Sequence, residues 1–203
     1  MAEATSQALQ QGHQESHGHD HDHHDHHHGN FWTQYVFSTD HKVIARQFLI
    51  TGIVMAIFGV LMSTIFRLQL AFPETSFPFL EAILGKWAPD GRLDPNFYLS
   101  LVTMHGTFMV FFVLTAGLSG TFSNFLIPLQ IGSRDMASGF MNMLSYWFFF
   151  TSSAIMLASL FISTGPAGGG WTIYPPLSAL PQAMPGSGLG MTMWLFAMAL
   201  FIA

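Results

Sequence analysis

The sequence predicts an all-α protein, a polytopic bundle of transmembrane helices. Half of its 203 residues are hydrophobic and only 8% are charged, a composition far from that of a soluble domain. Three apolar runs reach the roughly 20 residues that a helix needs to cross a bilayer, and a fourth begins near the end of the chain. The absence of cysteine excludes disulfides, thiolate metal sites and cysteine nucleophiles.

Residues 1–30 form a separate His/Asp-rich tail. All of the 11 histidines except His41 and His105 lie in this tail, where aspartates alternate with them. A segment of this composition cannot bury a core, so we expect it to be disordered. Imidazole and carboxylate together would bind Zn, Cu or Ni loosely, and both metal buffering and a solvated extension without metal stay open.

The first span is predicted over residues 43–66. Arg46 and Arg67 lie about 31 Å apart along a helix, at opposite membrane surfaces. A loop over residues 71–96 follows, in which FPFLEAILGKW could form a short interfacial helix. Small residues that would let another helix approach closely recur along the span: Gly52, Ala56, Gly59 and Ser63.

The second span starts at Phe97 and contains one histidine, His105, about 12 Å below the membrane surface. An intramembrane imidazole must form a hydrogen bond, relay protons or bind a metal, so His105 is a candidate functional residue. A purely structural histidine tied to a neighbouring helix is the alternative at this stage.

The third span, residues 140–163, carries polar side chains within one quadrant of a helical wheel. They are Asn142, Ser145, Ser152, Ser159 and Ser163. Such a stripe either holds neighbouring helices together or forms the wall of a water-filled path.

The last apolar run, residues 190–203, gives about 21 Å of helix against a bilayer core of about 30 Å. We therefore expect a truncated fourth helix and a chain that is the N-terminal portion of a longer protein.

With alternating spans, two groups of unusual residues gather at opposite surfaces. One group could hold a cofactor and the other could admit protons. The first consists of Arg67, His105, Trp171 and Tyr174, and the second, on the tail side, of Asp135, Asn124, Asn142, His41 and Lys42.

Six sequence blocks then form a familiar order. FSTDHK, the Arg67 segment, MHGTFMVFF, NFLIPLQIGSRDMA, FMNMLSYW and GGGWTIYPPL follow one another. In this order the chain resembles the N-terminal part of subunit I of the haem-copper oxidases, of the aa3 type, over residues 37–203. The resemblance implies a transmembrane domain over residues 31–203, with the first three spans and a truncated fourth of a subunit of about twelve helices.

The resemblance also implies a cofactor site. His105 lies in the block that supplies an axial ligand to the low-spin haem a, and Arg67 matches the arginine that donates a hydrogen bond to the haem formyl group. Trp171 lies in the loop that covers this haem, with Tyr174 beside it. The resemblance assigns haem a3, its copper and the oxygen-reducing site to helices beyond Ala203, so the chain alone would lack that site.

A proton path follows from the same resemblance. Asp135 matches the acid at the mouth of the D proton channel, and Asn124, Asn142 and Ser145 match polar residues that hold its waters. This favours the water path for the Asn142 end of the third-span stripe.

Two positions depart from the family pattern. Phe48 stands where relatives often have tyrosine, so one polar contact near the channel is lost. Gln69 stands where many relatives have a glutamate that helps bind a structural calcium or sodium ion, which puts that ion site in doubt.

The resemblance implies the catalytic subunit of a proton-pumping terminal oxidase in a bacterial inner membrane, with a cytoplasmic tail. Cytochrome c, other oxidase subunits including a copper-bearing subunit II, and membrane lipids would be its partners, and no nucleic acid is expected. A quinol oxidase of the same superfamily is the alternative. A metal-handling transporter with a His-rich collector tail is a further alternative, although a transport path should carry several metal ligands within the spans.

Overall fold

The computed structural model describes residues 31–203 and shows an all-helical architecture. After a short π-helical segment, Trp32–Val36, the chain forms five longer helices, and within residues 31–203 it forms no β-strand. These helices are α1 (His41–Ala71), α2 (Pro78–Leu84), α3 (Pro95–Ile131), α4 (Gly139–Ser159) and α5 (Gly188–Ile202). The predicted disorder of residues 1–30 lies outside the described residues.

The predicted polytopic membrane bundle is confirmed. Helices α1, α3 and α4 are long and apolar enough to cross a membrane, whereas α5 has 15 residues. A helix, α2, is present in the segment where an interfacial helix was predicted, and it is followed by two short 3-10 turns. The third span is shorter than predicted, because α4 ends at Ser159 and the chain soon reaches Gly165, which has a φ of 103°, and Pro166.

The starts of the long helices follow from capping residues. The carboxylate of Asp40 accepts a hydrogen bond from the Lys42 amide at the start of α1. Asp94 accepts hydrogen bonds from two amides in the first turn of α3, which begins with a proline. These contacts satisfy amides that have no partner inside the helix, and they fix the surface at which each span begins.

Helix α1 packs along α3 and against α4, and α4 packs against α5. Where α1 and α3 meet at Gly52 and Gly117, a Cβ on Gly52 would lie 2.9 Å from the Cα of Gly117. The small-residue stripe on α1 therefore does bring two helix backbones together. Aromatic rings fill the adjacent core, where Phe48 stacks on Phe149 at 5.2 Å between ring centroids.

The π-helical part of α3 extends over Phe108–Leu118 and begins three residues after His105. The wider backbone winding there changes which side chains face α1. The carbonyl oxygen of Phe112 would lie 2.8 Å from a Cβ on Gly117, so only glycine fits this winding. The interior winding of α3 thus depends on the same glycine that contacts α1.

The polar stripe of the third span does not act as one unit. Ser152 is buried and donates a hydrogen bond of 2.6 Å to the Ala197 carbonyl on α5. Ser159 is also buried, Ser145 is exposed, and Ser163 lies outside the helix. Between α4 and α5 the stripe serves helix packing.

Candidate functional site

His105 lies where α3 faces α1, and its ring is held from two sides. Its Nδ1 lies 2.8 Å from the carbonyl oxygen of Gly59 on α1, and the Phe66 ring packs edge-on at 5.5 Å between centroids. Because a carbonyl oxygen only accepts hydrogen bonds, Nδ1 must carry the proton of the neutral ring. Nε2 therefore keeps its lone pair, which is the arrangement found in metal-binding histidines.

Two glycines shape the surroundings of His105. A Cβ on Gly59 would lie 2.7 Å from the sulfur of Met109, so glycine lets the α1 backbone come close enough for its carbonyl to reach the imidazole. A Cβ on Gly106 would meet no atom within 4 Å. The helix surface next to His105 is therefore open at Gly106.

The Gly/Pro-rich loop after α4 is fastened to α3 near His105. The Gly170 amide donates a hydrogen bond of 3.1 Å to the Thr103 hydroxyl, and the next residue, Trp171, places its ring 6.0 Å from that of Phe111. The Trp171 side chain stays largely exposed. The loop thus holds an indole beside α3 without burying it.

The positions of Arg67 and Tyr174 are not fixed by hydrogen bonds to His105. Both are exposed, and neither forms a hydrogen bond to His105 among the described residues. Arg67 directly follows Phe66, whose ring touches the imidazole. Arg67 thus follows a residue that touches His105, and its own side chain is exposed.

At the tail side, His41 and Asp135 meet across the start of α1 and the loop before α4. The Nδ1–H of the buried His41 donates to Oδ1 of Asp135 at 2.9 Å, and the Met136 amide donates to the same oxygen at 2.7 Å. Partial burial raises the pKa of Asp135. The hydrogen bonds from Met136 and His41 outweigh it and leave that pKa below its ordinary value.

Asn124 and Asn142 each bury an amide atom that has no hydrogen-bond partner among residues 31–203. The Nδ2 of Asn124 donates to the Gly120 carbonyl, but its Oδ1 is buried and unpaired, as is Nδ2 of Asn142. Ser145 is exposed and donates to the Asn142 carbonyl. Buried amide atoms of this kind are where ordered water binds in proteins.

Three features of these sites do not follow from sequence patterns. The Gly59 carbonyl that orients His105 is a backbone group, and no residue type signals it. The partnership of His41 with Asp135 joins residues 94 positions apart. Gln47 buries an Oε1 that has no hydrogen-bond partner among the described residues, and its polar character inside an apolar span is the signal that could have drawn attention to it.

The described residues contain no group of three or more His, Cys, Asp or Glu side chains close enough to hold a metal ion.

Residues 43–203 match the protein family described as Cytochrome C and Quinol oxidase polypeptide I. The chain belongs to this family. The resemblance to haem-copper oxidase subunit I is therefore confirmed.

Related oxidase subunits agree with this assignment. The chain is 41% identical over 173 residues to the alternative cytochrome c oxidase subunit 1 of Bradyrhizobium diazoefficiens, covering 85% of this chain and 27% of that protein. It is 37% identical to the cytochrome c oxidase subunit 1 of Thermostichus vulcanus, covering 83% and 27%. The ubiquinol oxidase subunit 1 of Acetobacter aceti is 36% identical, with 82% and 23% covered. The chain thus spans about a quarter of the length of these relatives.

Haem and copper are the cofactors implied by membership of the oxidase family, and the residues around His105 fit a haem. The neutral imidazole has its proton on Nδ1 and a lone pair on Nε2, as an axial ligand requires. The surface beside Gly106 on α3 is open, and the Trp171 indole lies beside Phe111 on the same helix. This chain's own residues are therefore compatible with one side of a haem pocket.

Proposed function

We propose that this chain is the N-terminal part of the catalytic subunit of a proton-pumping terminal oxidase that reduces oxygen to water with electrons from cytochrome c. The orientation of His105 supports this proposal most directly, because its Nδ1–H donates to the Gly59 carbonyl and its Nε2 forms no hydrogen bond among residues 31–203. A low-spin haem a bound there would supply a one-electron carrier.

Each residue of the proposed haem site has a separate task. His105 would bind the iron through Nε2, with the Gly59 carbonyl fixing the ring and raising its basicity. Arg67 would donate a hydrogen bond to the formyl group, and Trp171, with Tyr174 beside it, would shield the haem edge from water. The close packing of α1 on α3 supports these tasks, because it keeps the imidazole rigid.

The tail side would collect protons. Asp135 is half exposed and held by His41, so its carboxylate can receive protons from the aqueous phase while staying in a defined place. Asn124 and Asn142, with their buried unpaired amide atoms, would hold water beyond it, and Ser145 would extend the path along α4.

The remaining machinery would come from elsewhere in the complex. Haem a3 and its copper would be held by further helices of the subunit, and electrons would arrive through a copper-bearing subunit II. The complex would lie in a bacterial inner membrane, with the tail and Asp135 on the cytoplasmic side. This orientation follows from the proposed direction of proton uptake.

A direct experiment is to isolate the native membrane complex through this chain, extract its haems and measure oxygen consumption. We expect haem a together with oxygen consumption driven by reduced cytochrome c. A complex without haem would contradict the proposal.

The Acetobacter aceti relative favours one second candidate, a quinol oxidase. The same preparation separates the two, since a quinol oxidase would consume oxygen with ubiquinol and remain inactive with cytochrome c. The metal-transporter alternative depends on residues 1–30, which lie outside the described part of the chain, and family membership accounts for His105 without it.

A further inference from the structure

A groove lies between α1, α2 and the segment after α4, at the membrane surface away from the tail. It has a volume of about 500 Å³ and is lined by apolar side chains along most of its length. Leu61 and Ile83 on its walls are 53% and 74% exposed, so the groove is open along one side in the described part of the chain.

One end of the groove is positively charged. Lys86, in the turn after α2, is the one charged lining residue among the described residues, and its ammonium group lies 4.5 Å from the centroid of the Trp87 ring. It donates one hydrogen bond to the Ser163 carbonyl, which leaves two N–H groups for another acceptor. Within residues 31–203 no carboxylate lies within ion-pair distance of Lys86.

The length of the groove suits a lipid chain. Its α1 wall runs from Phe58 to Ile65, seven residues or about 10 Å of helix. One leaflet contributes about 15 Å of hydrocarbon, so the groove covers the outer two thirds of a leaflet. The Lys86–Trp87 pair lies at the end where interfacial lysine and tryptophan meet lipid headgroups.

We infer that this groove binds one anionic glycerophospholipid, with an acyl chain along α1 and its phosphate on Lys86. The geometry matches a molecule that is charged at one end and apolar elsewhere. This inference goes beyond the proposed function and does not depend on it.

Two other occupants fit less well. A quinone ring has carbonyl oxygens on opposite edges and needs donors at both, whereas the charged donor of the groove is at one end. An apolar helix laid over the groove would bury the Lys86 ammonium without a counter-charge, which is costly.

The test uses the native complex that contains this chain, exchanged into nanodiscs of phosphatidylcholine and phosphatidylglycerol in equal amounts. Native mass spectrometry then counts the lipids that stay bound after the complex is released. For the wild type we expect one retained phosphatidylglycerol that belongs to this groove, and we expect Lys86→Arg to keep it.

Two variants change the groove in different ways. Lys86→Gln removes the charge, and loss of a charge-assisted hydrogen bond should lower retention of that phosphatidylglycerol about tenfold. Leu61→Trp fills the apolar part and should displace the lipid although Lys86 is unchanged. Arg92→Gln is the matched control, because it removes a cation from the α2–α3 segment outside the groove lining and should leave retention unchanged.

Several outcomes would overturn the inference. Equal retention of phosphatidylglycerol in wild type, Lys86→Gln and Leu61→Trp would place the lipid elsewhere. A retained quinone that is lost in Leu61→Trp would assign the groove to a different ligand. If phosphatidylcholine were retained as strongly as phosphatidylglycerol, the charge of Lys86 would have no role in binding.

Discussion

The imidazole of His105 is oriented by a backbone carbonyl of a neighbouring helix. The Gly59 carbonyl reaches Nδ1 because Gly59 has no side chain to collide with Met109. The ring tautomer is therefore set by helix packing and needs no further polar side chain. Electron transfer through the proposed haem would depend on this arrangement of one imidazole and one carbonyl.

Arg67 would tune the potential of the proposed haem. A cationic donor on the formyl group withdraws electron density, so Arg67→Gln should lower the midpoint potential of the low-spin haem by about 60 mV, equivalent to a tenfold change in a one-electron equilibrium. A redox titration of the isolated complex measures this. Arg92→Gln removes an arginine on the same side and should leave the potential unchanged, whereas an equal shift in both variants would refute a specific role for Arg67.

Asp135 provides a test of the proton path. We expect Asp135→Asn to lower oxygen consumption at pH 7 at least about tenfold, because the amide cannot take up a proton. Asp90→Asn makes the same chemical change in the loop between α2 and α3 and should have little effect. Equal activity of Asp135→Asn and wild type would rule out proton uptake through Asp135.

The pH dependence at Asp135 has a defined sign. Its pKa lies below the ordinary 3.8, so the ionised carboxylate stabilises its contacts above that value and the stabilisation is lost as pH falls through the lowered pKa. The contact with His41 and Met136 should therefore keep an ionised Asp135 throughout pH 5 to 8. Infrared titration of the carboxylate in the native complex checks this, and a protonated Asp135 at pH 6 would contradict it.

At the scale of the helices, the crossing of α1 and α3 depends on backbone contact. A methyl group at Gly52 would press on the Cα of Gly117, so Gly52→Ala should destabilise the complex by about 1–3 kcal/mol, the usual effect of overpacking. Thermal unfolding in detergent measures the loss. Gly188→Ala is the control, because a Cβ there meets no atom within 4 Å. A Gly52→Ala complex as stable as Gly188→Ala would show that the helices can separate freely.

Helix α4 separates packing from proton conduction along its length. Ser152→Ala removes the buried hydroxyl that donates to the Ala197 carbonyl on α5 and should lower stability by about 1 kcal/mol with little effect on proton uptake. Ser145→Ala should lower proton uptake with little loss of stability, because Ser145 is exposed and donates its hydrogen bond within its own helix. Melting temperature and proton uptake per electron, measured on both variants, distinguish the two roles. Identical profiles for the two would contradict the division.

Across the whole molecule, the long apolar runs made the fold predictable. Three spans and the interfacial helix follow from hydrophobic length and from prolines in the intervening loop. The close approach of α1 and α3 follows from small residues at helical spacing. The π-helical winding of Phe108–Leu118 could not be predicted, because it results from packing of α3 against α1 and has no local signal in an apolar sequence.

The candidate site was predictable in part. Alternating spans place His41 and Asp135 at one surface, and the structure shows them in contact. The sequence could not show that a backbone carbonyl orients His105, since such a contact requires the helix crossing to be known. The roles of all the candidate site residues stay predictions, and among residues 31–203 the exposed side chains of Arg67 and Tyr174 form no hydrogen bond with His105.

The most direct test of the central claim is a reduced-minus-oxidised optical spectrum of the native complex carrying His105→Ala, compared with wild type and with His41→Ala. We expect the low-spin haem a band in wild type and in His41→Ala, and its loss in His105→Ala, because among the described residues His105 is the histidine that lies in the interior of a membrane-spanning helix. An unchanged haem a band in an intact His105→Ala complex would contradict the assignment of His105 as the haem ligand.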